Sequence, residues 1–171
     1  KDQAPDSWTH ELSENWPDIP GQQSAKGTSG VVTAVKQADG TIGYADFSQV
    51  GDLGTAAIKV GENYNEISAD AGSKVIEDSE IDTSVKGDNR VVVKINHATE
   101  AKGAYPIVLV SYDIACPAYK DASTAKFVKS WLTYVTSDEG QKTASSAAGS
   151  APLPSNIVEK VTKSIEAIKT K

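Results

Sequence analysis

Pro106-Ile107-Val108-Leu109-Val110-Ser111-Tyr112-Asp113-Ile114-Ala115-Cys116 is the stretch on which the fold turns. Its first half is almost continuously apolar and rich in β-branched side chains, which favour extended backbone. A run of that kind is usually a strand buried on both faces, as in a sheet covered by helices. Helical patterns lie on either side of it. Downstream, Asp121 is placed to cap a helix in which Ala125, Val128, Trp131, Leu132 and Val135 recur at three- and four-residue spacing, with Lys126, Lys129 and Thr133 opposite. A second helix is expected over 137–148, closed by Gly149. After Pro152-Leu153-Pro154, Ser155 is placed to cap a last helix with Ile157, Val161, Ile165 and Ile168 inward, and Lys169 and Lys171 suit its C-terminal dipole.

Upstream, the stretch from 1 to 27 reads as loop, apart from a short helical piece over Pro5–Leu12. Gly27-Thr28-Ser29-Gly30 opens a helix with Val31, Val32 and Val35 on one stripe, and Asp39-Gly40 stops it. Short strands are expected over Thr41–Ala45, where Gly43 implies close approach of another backbone, and over Thr55–Val60. Ser68–Glu80 reads as an amphipathic helix with Ala71, Val75 and Ile76 inward, and Arg90–Ile95 as a strand. Helices interleaved with short strands give an α/β architecture.

The chain has 171 residues, a net charge of −6 and no methionine. Without Met, a processed chain or a fragment is expected. The polar opening Lys1-Asp2-Gln3 does not read as a signal peptide, and no apolar run has the length of a membrane span. Residues 1–104 carry 9 basic and 17 acidic side chains, residues 105–171 carry 8 and 6. Nucleic acid is therefore a poor partner, since phosphate backbones call for clustered Lys and Arg.

Few residues could carry chemistry. His10 and His97, the only histidines, sit in polar surroundings and read as solvated surface residues. Asp78, Glu80 and Asp82 alternate as in calcium loops, but the turn glycine and closing bidentate glutamate are missing, so no metal is expected. Cys116, the one cysteine, reads as a buried small hydrophobe, or as a partner for a cysteine elsewhere if the chain is exported. Gly27-Thr28-Ser29-Gly30 could offer amides and hydroxyls to an anion, or could simply cap its helix. Arg90, the only arginine, reads as a strand-edge charge with anion binding as the other option. No enzyme emerges, and no cofactor.

The order of motifs carries further. Ala25-Lys26-Gly27-Thr28-Ser29-Gly30-Val31-Val32, Ala34-Val35 and Gly40-Thr41-Ile42-Gly43-Tyr44 resemble the Gly-x-x-Gly-Val/Ile helix and Gly-x-Ile-Gly-Tyr strand of Pst-type phosphate-binding proteins, the PstS family. Tyr105-Pro106-Ile107 resembles that family's crossover strand. Trp131, Glu139-Gly140-Gln141 with Ala144, and Pro152-Leu153-Pro154 before a terminal helix resemble its C-terminal end. The resemblance implies a type II periplasmic-binding-protein-like α/β fold of three αβα layers, truncated at its N-terminus. Residues 1–104 would be the C-terminal portion of the second lobe, and residues 105–171 the returning C-terminal portion of the first. It implies an extracytoplasmic receptor for inorganic phosphate, in the periplasm or on the outer face of the cell membrane, lipid-anchored and serving ABC permease subunits. It places no phosphate-binding residue in this chain, the family's ligands being expected ahead of Lys1. A receptor for another oxyanion, such as sulfate or molybdate, and a ligand-free adhesion or scaffold module are the rival readings.

Overall fold

A computed structural model describes residues 4–171; the polar opening Lys1-Asp2-Gln3 lies outside the described residues. The chain forms two compact units, 1–53 and 54–171.

In the first unit, the piece expected to be helical over Pro5–Leu12 is a single turn, with Trp8 N–H donating to the Ala4 carbonyl at 2.8 Å. Helix α1 spans Gly27–Lys36 and buries Val32. Lys26 stands at its N-cap without a side-chain bond, so neither Thr28 nor Ser29 caps it. The helix ends before Gly40, which takes the left-handed backbone (φ 77°) after it. Residues 41–45 form no strand, and Ile42 stays exposed. Gly43 does mark a close approach, to side chains and not to backbone. A Cβ there would meet Val35 Cγ2 at 3.0 Å and Val31 Cγ1 at 3.1 Å. Thr41 Oγ1 ties this passage to the end of α1 through the carbonyls of Val35 (2.9 Å) and Ala38 (2.6 Å). A short 3₁₀ turn, Phe47–Gln49, follows, capped by Asp46.

The second unit opens with a tight hairpin. β1 (Ile58–Val60) pairs antiparallel with β2 (Asn63–Asn65), and Gly61 supplies the positive φ of 58° that the two-residue turn requires. Helix α2 (Ala69–Glu77) is capped by Ser68, whose hydroxyl accepts from Ala71 N–H. It buries Ala71, Val75 and Ile76, the stripe its spacing predicts. β3 (Glu80–Ile81) pairs antiparallel with β4 (Val93–Lys94), so only the end of the expected 90–95 strand is laddered. The core gathers around Ile76, Val93 and Ile157, with Ile81, Val108, Val110, Leu153 and Val161 packed against it.

The 106–116 stretch departs furthest from expectation. It forms no strand; over 107–110 Val108 and Val110 pack against the core while Ile107 and Leu109 lie bare at 63% and 92% exposure, the alternation of a strand. Among the described residues, no backbone hydrogen bond joins residues 107–115 to any other segment. Covered on one face and unladdered on both edges, the run is half of the buried strand its composition demands. Cys116 at its end is exposed and free, not buried.

Beyond it, β5 (Ala118–Tyr119) pairs parallel with β6 (Lys169–Thr170), which closes the chain around three helices. Asp121 caps α3 (Ala122–Val135), Ser137 caps α4 (Asp138–Ala148), and Gly149 ends α4 in the left-handed region (φ 64°). Helix α5 (Ser155–Glu166) starts at Pro154 with no side-chain cap, so Ser155 does not play that part. Ile157, Ile165 and Ile168 are buried as expected. On α3 the inward side is Ala125, Val128, Leu132 and Val135, whereas Trp131 turns outward and is 53% exposed. The cation that serves the C-terminus of α5 is Lys129: its Nζ donates to the carbonyls of Glu166 (2.9 Å) and Ile168 (3.4 Å). Lys169 and Lys171 instead enter the β5–β6 ladder through their backbone amides.

Candidate functional site

Candidate anion donors lie in different units. In the first, Gly27 (φ 68°) opens α1 with Lys26 beside it, and the Ser29 carbonyl accepts from Thr33 Oγ1 at 2.8 Å. In the second, Arg90 is exposed and follows Asn89, whose φ of 58° belongs to a turn. The free helix amides of α1 are an electrostatically positive end.

The densest polar cluster is one that sequence reading missed. Asp78, at the C-cap of α2, accepts hydrogen bonds at Oδ2 from Thr99 Oγ1 and from Asn96 Nδ2 (3.1 Å). Thr99, the buried polar residue of this region, also accepts from Ala101 N–H at 3.1 Å. Ser79 Oγ donates to the Val75 carbonyl and accepts Asn96 N–H at 3.0 Å. Every member has a partner, so the cluster fastens the 95–101 loop to α2 and leaves nothing directed at a ligand. Its members lie about twenty positions apart with no periodicity to join them, which is why no local pattern exposes it.

Asp82 does not combine with Asp78 and Glu80. Its carboxylate accepts from Ser84 Oγ (2.6 Å) and Ser84 N–H (2.9 Å), and these bonds hold its pKa below the ordinary value. No group of three or more His, Cys, Asp or Glu side chains is placed to hold a metal among the described residues. His10 and His97 are exposed, and His97 Nδ1 lies 2.8 Å from the Pro106 carbonyl.

The C-terminal motifs turn out to be joints. Gln141 Nε2 donates to the Val135 carbonyl (2.8 Å) while its Oε1 accepts Leu153 N–H (2.9 Å), tying the end of α3 to the Pro152-Leu153-Pro154 corner. Ser73 Oγ reaches that corner from α2, donating to the Pro152 carbonyl at 2.9 Å. Gly140 is buried in the α3–α4 turn, where a Cβ would drive into the Tyr134 carbonyl. A shallow cleft of about 300 Å³ runs beside this joint, lined by Thr136, Asp138, Gln141, Lys142 and Leu153 among others. Gln141 is already committed on both ends and offers no free group to this cleft. Glu139-Gly140-Gln141 and Pro152-Leu153-Pro154, two of the elements behind the family resemblance, therefore describe framework.

That framework has a known counterpart. The sequence profile described as the PBP superfamily domain matches residues 2–139. The chain belongs to that superfamily. Its fold is accordingly periplasmic-binding-protein-like, and the superfamily is one of binding proteins, not enzymes. The resemblance to PstS proteins read from the motifs is borne out. Phosphate-binding protein PstS 3 of Mycobacterium leprae (strain TN) is 30% identical over 151 residues, covering 85% of this chain and 40% of its own length. Phosphate-binding protein PstS 2 of Mycobacterium tuberculosis (strain ATCC 25618 / H37Rv) is 30% identical over 149 residues, 84% of this chain and 39% of its own. The chain thus spans about two fifths of the length of these PBP-superfamily relatives. No solved structure matches it. No helix among the described residues is long and apolar enough to cross a membrane.

Proposed function

We propose that this PBP-superfamily chain is the supporting part of the extracytoplasmic substrate-binding component of an ABC phosphate importer, and that the groups gripping phosphate belong to the part of the PstS length it does not span. One observation carries the reading: 30% identity to a phosphate-binding protein over 85% of this chain, but over only 40% of that protein. The motifs behind the resemblance behave accordingly. Gly43, Gly140 and Gln141 fix the packing of helices, and none is aimed at a ligand. In this reading residues 1–104 are the C-terminal portion of the second lobe and residues 105–171 the returning portion of the first, within a three-layer αβα receptor. The receptor is lipid-anchored outside the cytoplasm and hands phosphate to permease subunits.

Oxyanion receptors hold their ligand by helix amides and charge-assisted hydrogen bonds, and need several donors converging on one point. Isothermal calorimetry with inorganic phosphate tests the division of labour. The 171-residue chain is expected to show no heat of binding, while a PstS relative of full length binds in the same buffer. Micromolar binding by the 171-residue chain alone would refute the assignment of the ligands elsewhere. Binding of sulfate or molybdate but not phosphate would redirect the substrate.

A further inference from the structure

Asp39 is the one aspartate of the chain that is followed by glycine. It lies with Gly40 in the turn after α1, and both residues are exposed. Gly40 holds φ at 77°, and a Cβ there would meet nothing within 4 Å. Among the described residues, no hydrogen bond engages the Asp39 carboxylate or the Gly40 N–H. A carboxyl carbon and the amide nitrogen that can attack it stand next to each other, neither one committed. The nitrogen belongs to glycine, the residue whose backbone is freest to turn toward that carbon.

We propose that Asp39 is a site of spontaneous aspartate isomerisation. The Gly40 nitrogen attacks Cγ of the protonated Asp39 carboxyl. The N–Cγ bond forms, the Cγ–OH bond breaks, and the hydroxyl leaves with the amide proton as water. The product is a five-membered succinimide, which water then opens. Cleavage between Cγ and nitrogen restores aspartate. Cleavage between the main-chain carbonyl carbon and nitrogen leaves isoaspartate, which carries the chain through Cγ. Atoms balance with no reagent but water, and the mass ends where it began.

The surroundings set this aspartate apart from the other described ones. The carboxylates of Asp46, Asp82 and Asp121 accept hydrogen bonds from serine hydroxyls, which hold them in their turns. After Asp6, Asp52 and Asp78 the attacking amide is itself tied, donating to a carbonyl at 3.1–3.2 Å. Asp70 and Asp138 lie in helices. The remaining aspartates precede residues whose side chains crowd ring closure. The consequence falls on α1. Isomerisation adds a methylene to the main chain shortly before Thr41, whose hydroxyl holds the carbonyls of Val35 and Ala38. It also precedes Gly43, which has no spare room beside Val31 and Val35. The tie between this passage and the end of α1 loosens. Nothing in this chemistry involves phosphate, so it stands or falls independently of the receptor reading.

Storage of the 171-residue chain for weeks in warm, mildly acidic buffer tests it, read by peptide mapping and isoaspartyl methyltransferase labelling. The expected result is more isoaspartate at position 39 than at any other aspartate. In Asp39→Glu the label at this position should fall to background, because glutamate would have to close a six-membered ring. Asp39→Asn should react faster than the parent through the same ring, with ammonia leaving in place of water. Separated from the parent, the isoaspartyl form should exchange the amides in the last turn of α1 faster. An unlabelled position 39 overturns the proposal, whether or not another aspartate reacts. So does a label in the 36–43 peptide that Asp39→Glu leaves in place. Last-turn amides as protected in the isomerised chain as in the parent overturn the loosening.

Discussion

Replacing Gly140 by alanine puts the α3–α4 joint to a direct test. In most exposed helix positions this change stabilises, by about 0.5–1 kcal/mol. Here the sign should reverse. An alanine Cβ would lie 2.9 Å from the Tyr134 carbonyl carbon and 3.1 Å from the Val135 carbonyl oxygen, and closer still to the Tyr134 oxygen. The obstacle is backbone, which cannot rotate away as a side chain would. Relief requires α4 to back off from the end of α3. That strains the bonds Tyr134 O accepts from Ser137 N–H (3.0 Å) and Ser137 Oγ (2.7 Å), and the cap that Gly140 N–H donates to Ser137 Oγ (3.2 Å). Three bonds at about 1 kcal/mol each, less the propensity gain, leave a net loss of about 2–3 kcal/mol. At about 2–4 °C per kcal/mol for a chain of this length, the midpoint should fall by roughly 5–10 °C. Urea and thermal unfolding followed by far-ultraviolet circular dichroism read both quantities. Gly54→Ala is the matched control, since nothing lies within 4 Å of a Cβ there. If Gly140→Ala unfolds within about 0.5 kcal/mol of the parent, the joint is looser than described and the reasoning fails.

Three further outcomes follow from the same packing. Gln141→Leu removes both bonds to the 135 and 153 backbone and should cost about 1–3 kcal/mol by urea unfolding, with Gln141→Glu restoring part of it through the retained acceptor. Ser68→Ala should lose about 1 kcal/mol, because its hydroxyl caps α2, whereas Ser155→Ala should change stability by less than about 0.5 kcal/mol, α5 having no side-chain cap. The carboxyl of Asp121 is held below its ordinary 3.8, first by Ser123 Oγ and then by Thr124 N–H. A depressed carboxylate contributes stability above its unfolded pKa and loses it as pH falls through the folded value. The urea midpoint should therefore drop below about pH 4, and less steeply in Asp121→Asn, which keeps an acceptor without a titrating proton.

The helices were legible and the ladders were not. The five helices among the described residues lie close to where apolar spacing places them, because a helix closes its hydrogen bonds within its own segment. Ser68, Asp121 and Gly149 act at the ends their residue types announce. A strand needs a partner that local sequence does not name, so Thr41–Ala45 and Pro106–Cys116 come out without a ladder. Trp131 and Cys116 share that cause: composition marks them for burial, yet no described segment covers them. Lys129 took the capping role expected of Lys169 because a long side chain on a neighbouring helix can reach what adjacent residues cannot. Of the candidate site, the motifs pointed to the right family, but their residues serve as joints. The Asp78–Asn96–Thr99 cluster, built from two segments about twenty positions apart, had no linear signature.

The two-residue parallel ladder between Ala118–Tyr119 and Lys169–Thr170 is small, but it ties both ends of the α3–α4–α5 stretch together. With Lys129 bonded to the end of α5, that stretch is a ring fastened at one clasp, not a row of separate helices. Rings open as units. Amide protons throughout the three helices should share one opening free energy in hydrogen exchange, and cutting away the final three residues should loosen them all together.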